Sequence, residues 1–433
     1  MKTPLIFLLL INLLYLTAQE QRTTFFTRYD TIPMSWTQAI DYENNFLRVY
    51  SSSPIGFSVI EKLDNKGTSL SIDSLTNYPR NSYFPKLIKT NNGYVIAFSS
   101  MTNILENDFM DADIKVQFYD ENLYLLLDTT YISLYEDRFV DIIQTNDNGF
   151  LILSNKNNIS VNPIEKSLNL TKINAQGEIV WEKEMVTDAK ALLMNEFNTS
   201  TILIISENID NFERYFTQID ENGNILNEIS YTLPLLNTPT DLIQHNENEL
   251  LLIGSYKKGN DNSLPRGVIL KIDTIGNILD STFYMFDEAT EFKKIIKNHK
   301  NNYCIIGAKG TASYVNESNY YRNSFFLEMD TSGEILWSKE FNYSSNAQRT
   351  ILNSLKQTSD NGYILTGNIR ILPSDILYST YKLDCNACDS ISCYFKDSIC
   401  NPADCIRYQN DNLFSVEVDS TQLVNNVINI DLF

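Results

Sequence analysis

A few clusters hold most of the side chains in this sequence that could do chemistry. Glu106, Asp108, Asp111 and Asp113 form the densest acidic group. Hard oxygen ligands at near-alternate spacing could hold Ca²⁺, yet the defined spacing and the glycine of an EF-hand loop are missing. A solvated acidic loop accounts for the same residues without a metal. Ca²⁺ is the one cofactor to which these residues point; no other is expected. Cys385, Cys388, Cys393, Cys400 and Cys405 crowd a second segment. A C-x-x-C pair points to zinc in a cytosolic chain and to disulfides in an exported one. Five is odd, so one thiol is free or pairs elsewhere, with Cys304 as an option. Cys304 itself lies in an apolar run and reads as a buried thiol. Tyr314, Tyr320, Tyr321 and Arg322 form the best contact-like group, because Tyr and Arg are enriched where partners bind. Only two histidines occur, His245 and His299, which weakens imidazole-based metal and acid–base chemistry. No nucleophile, base and orienting group come together by spacing. No catalytic residue is assigned.

Charge and the first residues narrow the partners. A formal net charge of −20 disfavours nucleic acid, whose phosphates demand a Lys/Arg face, and equally an anionic membrane surface. Lys2, the short apolar run Leu5–Leu16 and Ala18 read as a signal peptide over residues 1–18. That run falls short of the roughly 20 residues a spanning helix needs. Export without membrane insertion follows as an expectation: extracellular, cell-surface or periplasmic.

The elements that would position these residues repeat. Apolar runs begin at Phe46, Tyr94, Phe150, Ile202, Leu250, Tyr303 and Tyr363, at separations of 48, 56, 52, 48, 53 and 60 residues. Three follow an Asn-Gly pair (Asn92-Gly93, Asn148-Gly149 and Asn361-Gly362), a strong hairpin signal. A second register agrees: alternating segments end at Asp64, Asp120, Asn174, Asp220, Asp273, Asp330 and Asp384. Five of these are followed three residues later by Gly67, Gly177, Gly223, Gly276 or Gly333. The Asp or Asn side chain closes an Asx-turn, and Gly takes the left-handed position. With a strand before each apolar run and another after each turn, the unit has four strands. Seven such units predict an all-β, seven-bladed β-propeller of four-stranded antiparallel blades, radial repetition being one solution to exposed sheet edges.

The repeats are placed at about 35–83, 84–138, 139–190, 191–239, 240–291, 292–350 and 351–384, within a propeller spanning 19–384. The first unit already has four strands, so Arg22–Asp30 is surplus, and the last lacks a regular fourth. Residues 22–32 are expected to close that blade; Ser390–Phe395 is the competing strand. A short Cys-rich segment (385–405) and a β-rich tail (406–433) follow. The tail holds strands around Phe414–Val418 and Val427–Leu432, and alone is too short to fold. It docks on the propeller or belongs to something truncated.

The pattern NGY-apolar … KxD-xx-G-x-I-x-W resembles the divergent propeller repeats of bacterial secreted proteins, many in type nine secretion and surface-associated families. The resemblance covers most of residues 35–384, in turn-and-strand patterns with little chemical specificity. A sorting domain, with which such families often end, is not found. Trp181 and Trp337 each follow a turn glycine by four residues, similar to the docking motif of quinone-dependent propeller dehydrogenases. That motif carries one more residue between its Asp and Gly, so core packing is the preferred reading. Sialidase Asp-boxes space Asp and Gly two apart, whereas Asp330 and Gly333 are three apart, and paired carboxylates cannot be assigned.

Connections are lopsided. Turns between first and second strands, and between third and fourth, are tight. Those between second and third are long: Ser99–Ala112, Asn155–Ser167, Ser255–Arg266 and Ala308–Asn323. In a propeller these share a face with the blade-to-blade links. Loops more often carry function, so that face is expected to meet a protein or glycan partner. A secreted, non-enzymatic binding or scaffolding module is the functional expectation. The alternative is a propeller enzyme, quinone-dependent or carbohydrate-active.

Overall fold

The computed structural model describes residues 25–29, the strands and most tight turns between residues 34 and 383, and residues 414–418. The protein is an all-β propeller of four-stranded antiparallel blades, in which each polypeptide repeat lays its strands outward from the axis in chain order. A first strand, β1 (Phe25–Tyr29), precedes the repeats. Blade one holds β2 (Met34–Tyr42), β3 (Asn45–Ser52), β4 (Ser58–Leu63) and β5 (Ser69–Ser74). Blade two holds β6 (Ser82–Thr90), β7 (Gly93–Ile104), β8 (Met110–Tyr119) and β9 (Leu125–Tyr131). Next come β10 (Glu136–Gln144), β11 (Phe150–Asn158), β12 (Glu165–Ile173) and β13 (Ile179–Thr187). The fourth sheet is β14 (Ala189–Phe197), β15 (Thr201–Asn208), β16 (Arg214–Asp220) and β17 (Ile225–Tyr231). The fifth is β18 (Thr238–Gln244), β19 (Glu249–Tyr256), β20 (Arg266–Asp273) and β21 (Ile278–Met285). The sixth is β22 (Ala289–Lys297), β23 (Tyr303–Gly310), β24 (Asn323–Met329) and β25 (Ile335–Phe341). The last is β26 (Ala347–Gln357), β27 (Tyr363–Ile371) and β28 (Asp375–Leu383), with β1 on its outer edge.

The innermost strands touch in succession, β2 to β6, β10, β14, β18, β22 and β26, and β26 returns to β2, so the circle of sheets is closed. Pairing of β1 with β28 runs antiparallel from Phe25 opposite Lys382 to Tyr29 opposite Tyr378. Ser390–Phe395, the competing strand, lies outside the described residues. One further strand, β29 (Phe414–Val418), adds to the outer edge of β21.

Side chains on both faces of each blade are apolar, and the cores form where blades meet. Phe197, Leu203, Ile205 and Phe216 of the fourth blade pack with Leu250, Leu252, Leu270 and Phe283 of the fifth. Val95, Val116 and Phe118 likewise meet Phe139, Ile152 and Ile173 across the junction of the second and third blades. Ala39, Phe46 and Leu63 of the first blade meet Ile364 of the last. A blade alone would leave two greasy faces in water, so burial drives the circle to close.

Six strand starts and two connections differ from the sequence reading. Inner strands start two to four residues before the expected repeat limits, at Ser82, Glu136, Ala189, Thr238, Ala289 and Ala347. Pairing extends beyond the buried segment because the ladder needs no apolar side chains. For the same reason Ser99–Ala112 is mostly strand: β7 and β8 remain paired as far as Ile104 and Met110. Asn155–Asn158 and Glu165–Ser167 are likewise paired strand ends.

Candidate functional site

The described part of the long-connection face contains a cavity of about 390 Å³ at the junction of the third and fourth blades. Its wall is a row across the paired sheet: Glu136 of β10 stands opposite Asn157 of β11, which stands opposite Lys166 of β12. Arg138 opposite Asn155 forms the adjacent row, and Ala189 and Lys190 of β14 supply the facing blade. These are the starts of inner strands, the end of a second strand and the start of a third. All lie where blade links and second-to-third connections emerge.

The geometry holds the wall rigidly. Glu136, with a side chain only 12% exposed, accepts from Arg138 at 2.8 Å and from the Asn157 amide at 2.9 Å. Asn155 Oδ1 accepts from the Ala191 backbone N–H at 2.7 Å, fastening the fourth blade to the third. Lys166 and Lys190 make no ion pair among the described residues. The cavity thus presents two uncommitted ammonium groups beside a fixed Arg–carboxylate–amide array, which suits an acidic or hydroxyl-rich group.

Behind this wall lies a buried carboxyl. Asp137 is 4% exposed, and its Oδ1 has no hydrogen-bond partner among the described residues. Burial pushes its pKa up to about 7; Asp113 and Glu182 add repulsion, while Ser133 and Lys156 oppose the rise. It alternates with Glu136 and Arg138 along β10, so its side chain faces away from the cavity.

The sequence-read sites fare differently. Asp111 and Asp113 are in β8 rather than in a solvated loop, and Asp113 is buried, its carboxylate accepting from the Ser133 N–H at 3.2 Å. Glu106 and Asp108 lie outside the described residues. The described residues contain no group of three His, Cys, Asp or Glu placed to hold a metal. Tyr314, Tyr320, Tyr321 and Arg322, the cysteines Cys385, Cys388, Cys393, Cys400 and Cys405, and residues 1–18 all lie outside the described residues. Cys304 is fully buried in β23, its thiol pushed up to about 12 by burial and 3.5 Å from the Tyr363 hydroxyl. Trp181 packs in the core between the third and fourth blades, and an added Cβ on Gly223 would come within 2.7 Å of its ring. Trp337 meets Phe326 edge-on at 5.1 Å and donates to Glu328 at 2.7 Å. No described helix is long and apolar enough to cross a membrane.

Sequence reasoning did not single out Glu136, Arg138, Lys166 or Lys190. The loop Asn155–Ser167 brackets Asn155, Asn157 and Lys166, and polar residues ending an apolar run were the available signal.

No protein-family model matches the chain, and no curated protein does. Solved structures similar in backbone course include hydrazine synthase of Kuenenia stuttgartiensis, with TM-score 0.48 and 9% identity over 79% of this chain and 96% of that one. A subtype N10 neuraminidase-like protein of A/little yellow-shouldered bat gives 0.40 and 11% over 82% and 98%. A protein of unknown function from Bacteroides caccae gives 0.30 and 8% over 53% and 90%. Similarity at this level lends no chemistry to the present chain.

Proposed function

We propose that this protein is an exported, non-enzymatic binding module that engages a protein or glycan partner through the face bearing the second-to-third-strand connections. The observation that carries the reading is the cavity between the third and fourth blades. Its Lys166 and Lys190 make no ion pair among the described residues, and its wall is prearranged by Glu136, Arg138 and Asn157. Preorganised polar groups lose little freedom on binding, so they favour recognition. An acidic sugar or a peptide carboxylate suits the lysines, and the Tyr and Arg residues of the connection between β23 and β24 (Tyr314–Arg322) are the aromatic contact group expected from the sequence. Export rests on the leader-like residues 1–18.

The test is a glycan and peptide array probed with wild type, with K166E/K190E and with a Tyr320→Ala, Tyr321→Ala, Arg322→Ala triple variant. The expected result is an acidic ligand that both variants bind at least tenfold more weakly, with melting temperatures within about 2 °C of wild type. The reading fails if both variants bind normally while a folded variant on the tight-turn face, Gln176→Arg with Thr331→Arg, does not.

A further inference from the structure

Charged side chains that no loop carries converge on the axis of the propeller. Lys86, Asp141, Asp241 and Lys294 sit on four different inner strands at one register position, opposite Ala97, Leu153, Ile253 and Ile306. Each follows a bulge that the inner strand makes at this level. They pair across neighbouring blades: Lys86 with Asp141, and Lys294 with Asp241 at 2.6 Å. Both carboxylates are also committed to backbone, Asp141 accepting from Ile142 at 2.8 Å and Asp241 from Ile295 at 2.9 Å. The two lysines keep 33% and 34% of their side-chain surface open, although they lie on innermost strands.

A fifth charge has no partner among the described residues. Lys356 of β26, opposite Ile364, is half-buried and makes no hydrogen bond or ion pair among the described residues. It lies two residues beyond Ser354, which occupies the level of the four paired charges. At its own level the other inner strands carry Ile40, Ile88, Ile143, Asn195, Ile243 and Ile296. The charges that act on it are Lys294, Lys86, Asp241 and Asp141, from blades six, two, five and three. Two residues on from Ser354, Lys356 shares its strand face, the face that at the level of Ser354 carries the axial charges of the other blades. Burial and those two lysines push its pKa down to about 8, incompletely offset by the two aspartates.

Among the described residues the axis therefore holds three ammonium groups against two carboxylates, inside a chain whose net charge is −20. A cation would find both carboxylates already paired, whereas an anion would find Lys356 unpaired and Lys86 and Lys294 with open surface. We propose that the axial channel is a binding site for a small oxyanion, a carboxylate or a tetrahedral anion such as sulfate, held by Lys356 with Lys86 and Lys294. This site is separate from the cavity of the loop face.

Isothermal titration of the full chain in a low-chloride buffer tests it, with sulfate and acetate as probes because neither titrates above pH 7. Wild type is expected to bind one equivalent of at least one probe. At pH 8.5 binding should take up protons, because the anion draws Lys356 to its charged form. K356M should bind at least tenfold more weakly without proton uptake, K356R should stay within about threefold of wild type, and D141N should bind several-fold more tightly. A purely structural role for Lys356 would not move affinity oppositely in K356M and D141N. Equal binding by K356M, or no binding of either anion by wild type, overturns the proposal. If K356M does not fold, loss of binding in K356Q together with retention in K356R decides the question in its place.

Discussion

Asp137 shows how one residue can hold stability that pH releases. Its carboxyl is buried with one oxygen unpartnered, and its pKa stands at about 7 against an ordinary 3.8. Between those values the folded state binds more protons than the unfolded, so this group's contribution to stability falls as pH rises through the window. Above about pH 7 the full cost of a desolvated carboxylate is present. Asp137→Asn is therefore expected to stabilise the protein by about 1–3 kcal/mol at pH 8, with the gain vanishing below about pH 4. Chemical denaturation of both proteins across this range measures it. A variant less stable than wild type at pH 8 would contradict the account. Leu123 is a second residue-scale feature, holding φ +66° at the position where sister turns carry glycine. Asp120 still closes that turn, accepting from the Asn122 and Tyr124 N–H groups at 2.8 Å, and Leu123 packs on the adjacent core. Packing there offsets the left-handed strain that Gly177, Gly223, Gly276 and Gly333 avoid.

Among the elements, the strand β1 has a disproportionate role. It is the first described segment of the chain, yet it pairs with β28, the last strand of the last blade. Its five paired residues join the two ends of the circle by hydrogen bonds rather than by side-chain contact alone. Removing residues 19–32 exposes the β28 edge and opens that tie. The truncated protein is expected to melt several degrees or more below the full chain, read by circular dichroism at constant pH and salt. An unchanged melting curve would show that closure rests on the blade-junction cores instead. Inner-strand bulges act at the same scale. Each shifts the register between two neighbouring residues, as at Phe139/Asp141, Pro239/Asp241 and Phe292/Lys294. That shift sets the side chain that follows toward the axis.

For the whole molecule, stability is shared because each core belongs to two blades. Leu252 is fully buried between the fourth and fifth blades, far in sequence from Trp181 and Trp337. Leu252→Ala removes three carbons and leaves a cavity, a loss of about 2–5 kcal/mol. Since every blade depends on both neighbours, one transition should shift for all of them. Tryptophan fluorescence, and its repeat in single-tryptophan versions retaining Trp181 or Trp337, is expected to report the same lowered midpoint. Separate midpoints for the two reporters would mean that blades unfold locally.

Strand positions, tight turns and the face of the long connections were legible in the chain alone. The continuous apolar runs of β15 and β19, the Asn148-Gly149 hairpin and the Asp220–Gly223 turn are decided by neighbours within about ten residues, so a linear reading captures them. Leu123 escaped because its turn is held by Asp120 and by packing, without the glycine that marks the others. Tertiary structure alone decided the two sites. The cavity joins Glu136, Asn157, Lys166 and Lys190 from four strands of two blades. The axial charges join Lys86, Asp141, Asp241, Lys294 and Lys356 from five blades. In sequence each of these lysines and aspartates resembles any solvated charge on an acidic protein. Only closure of the circle brings residues about fifty positions apart to one axis, where low dielectric and mutual proximity give them a common electrostatics.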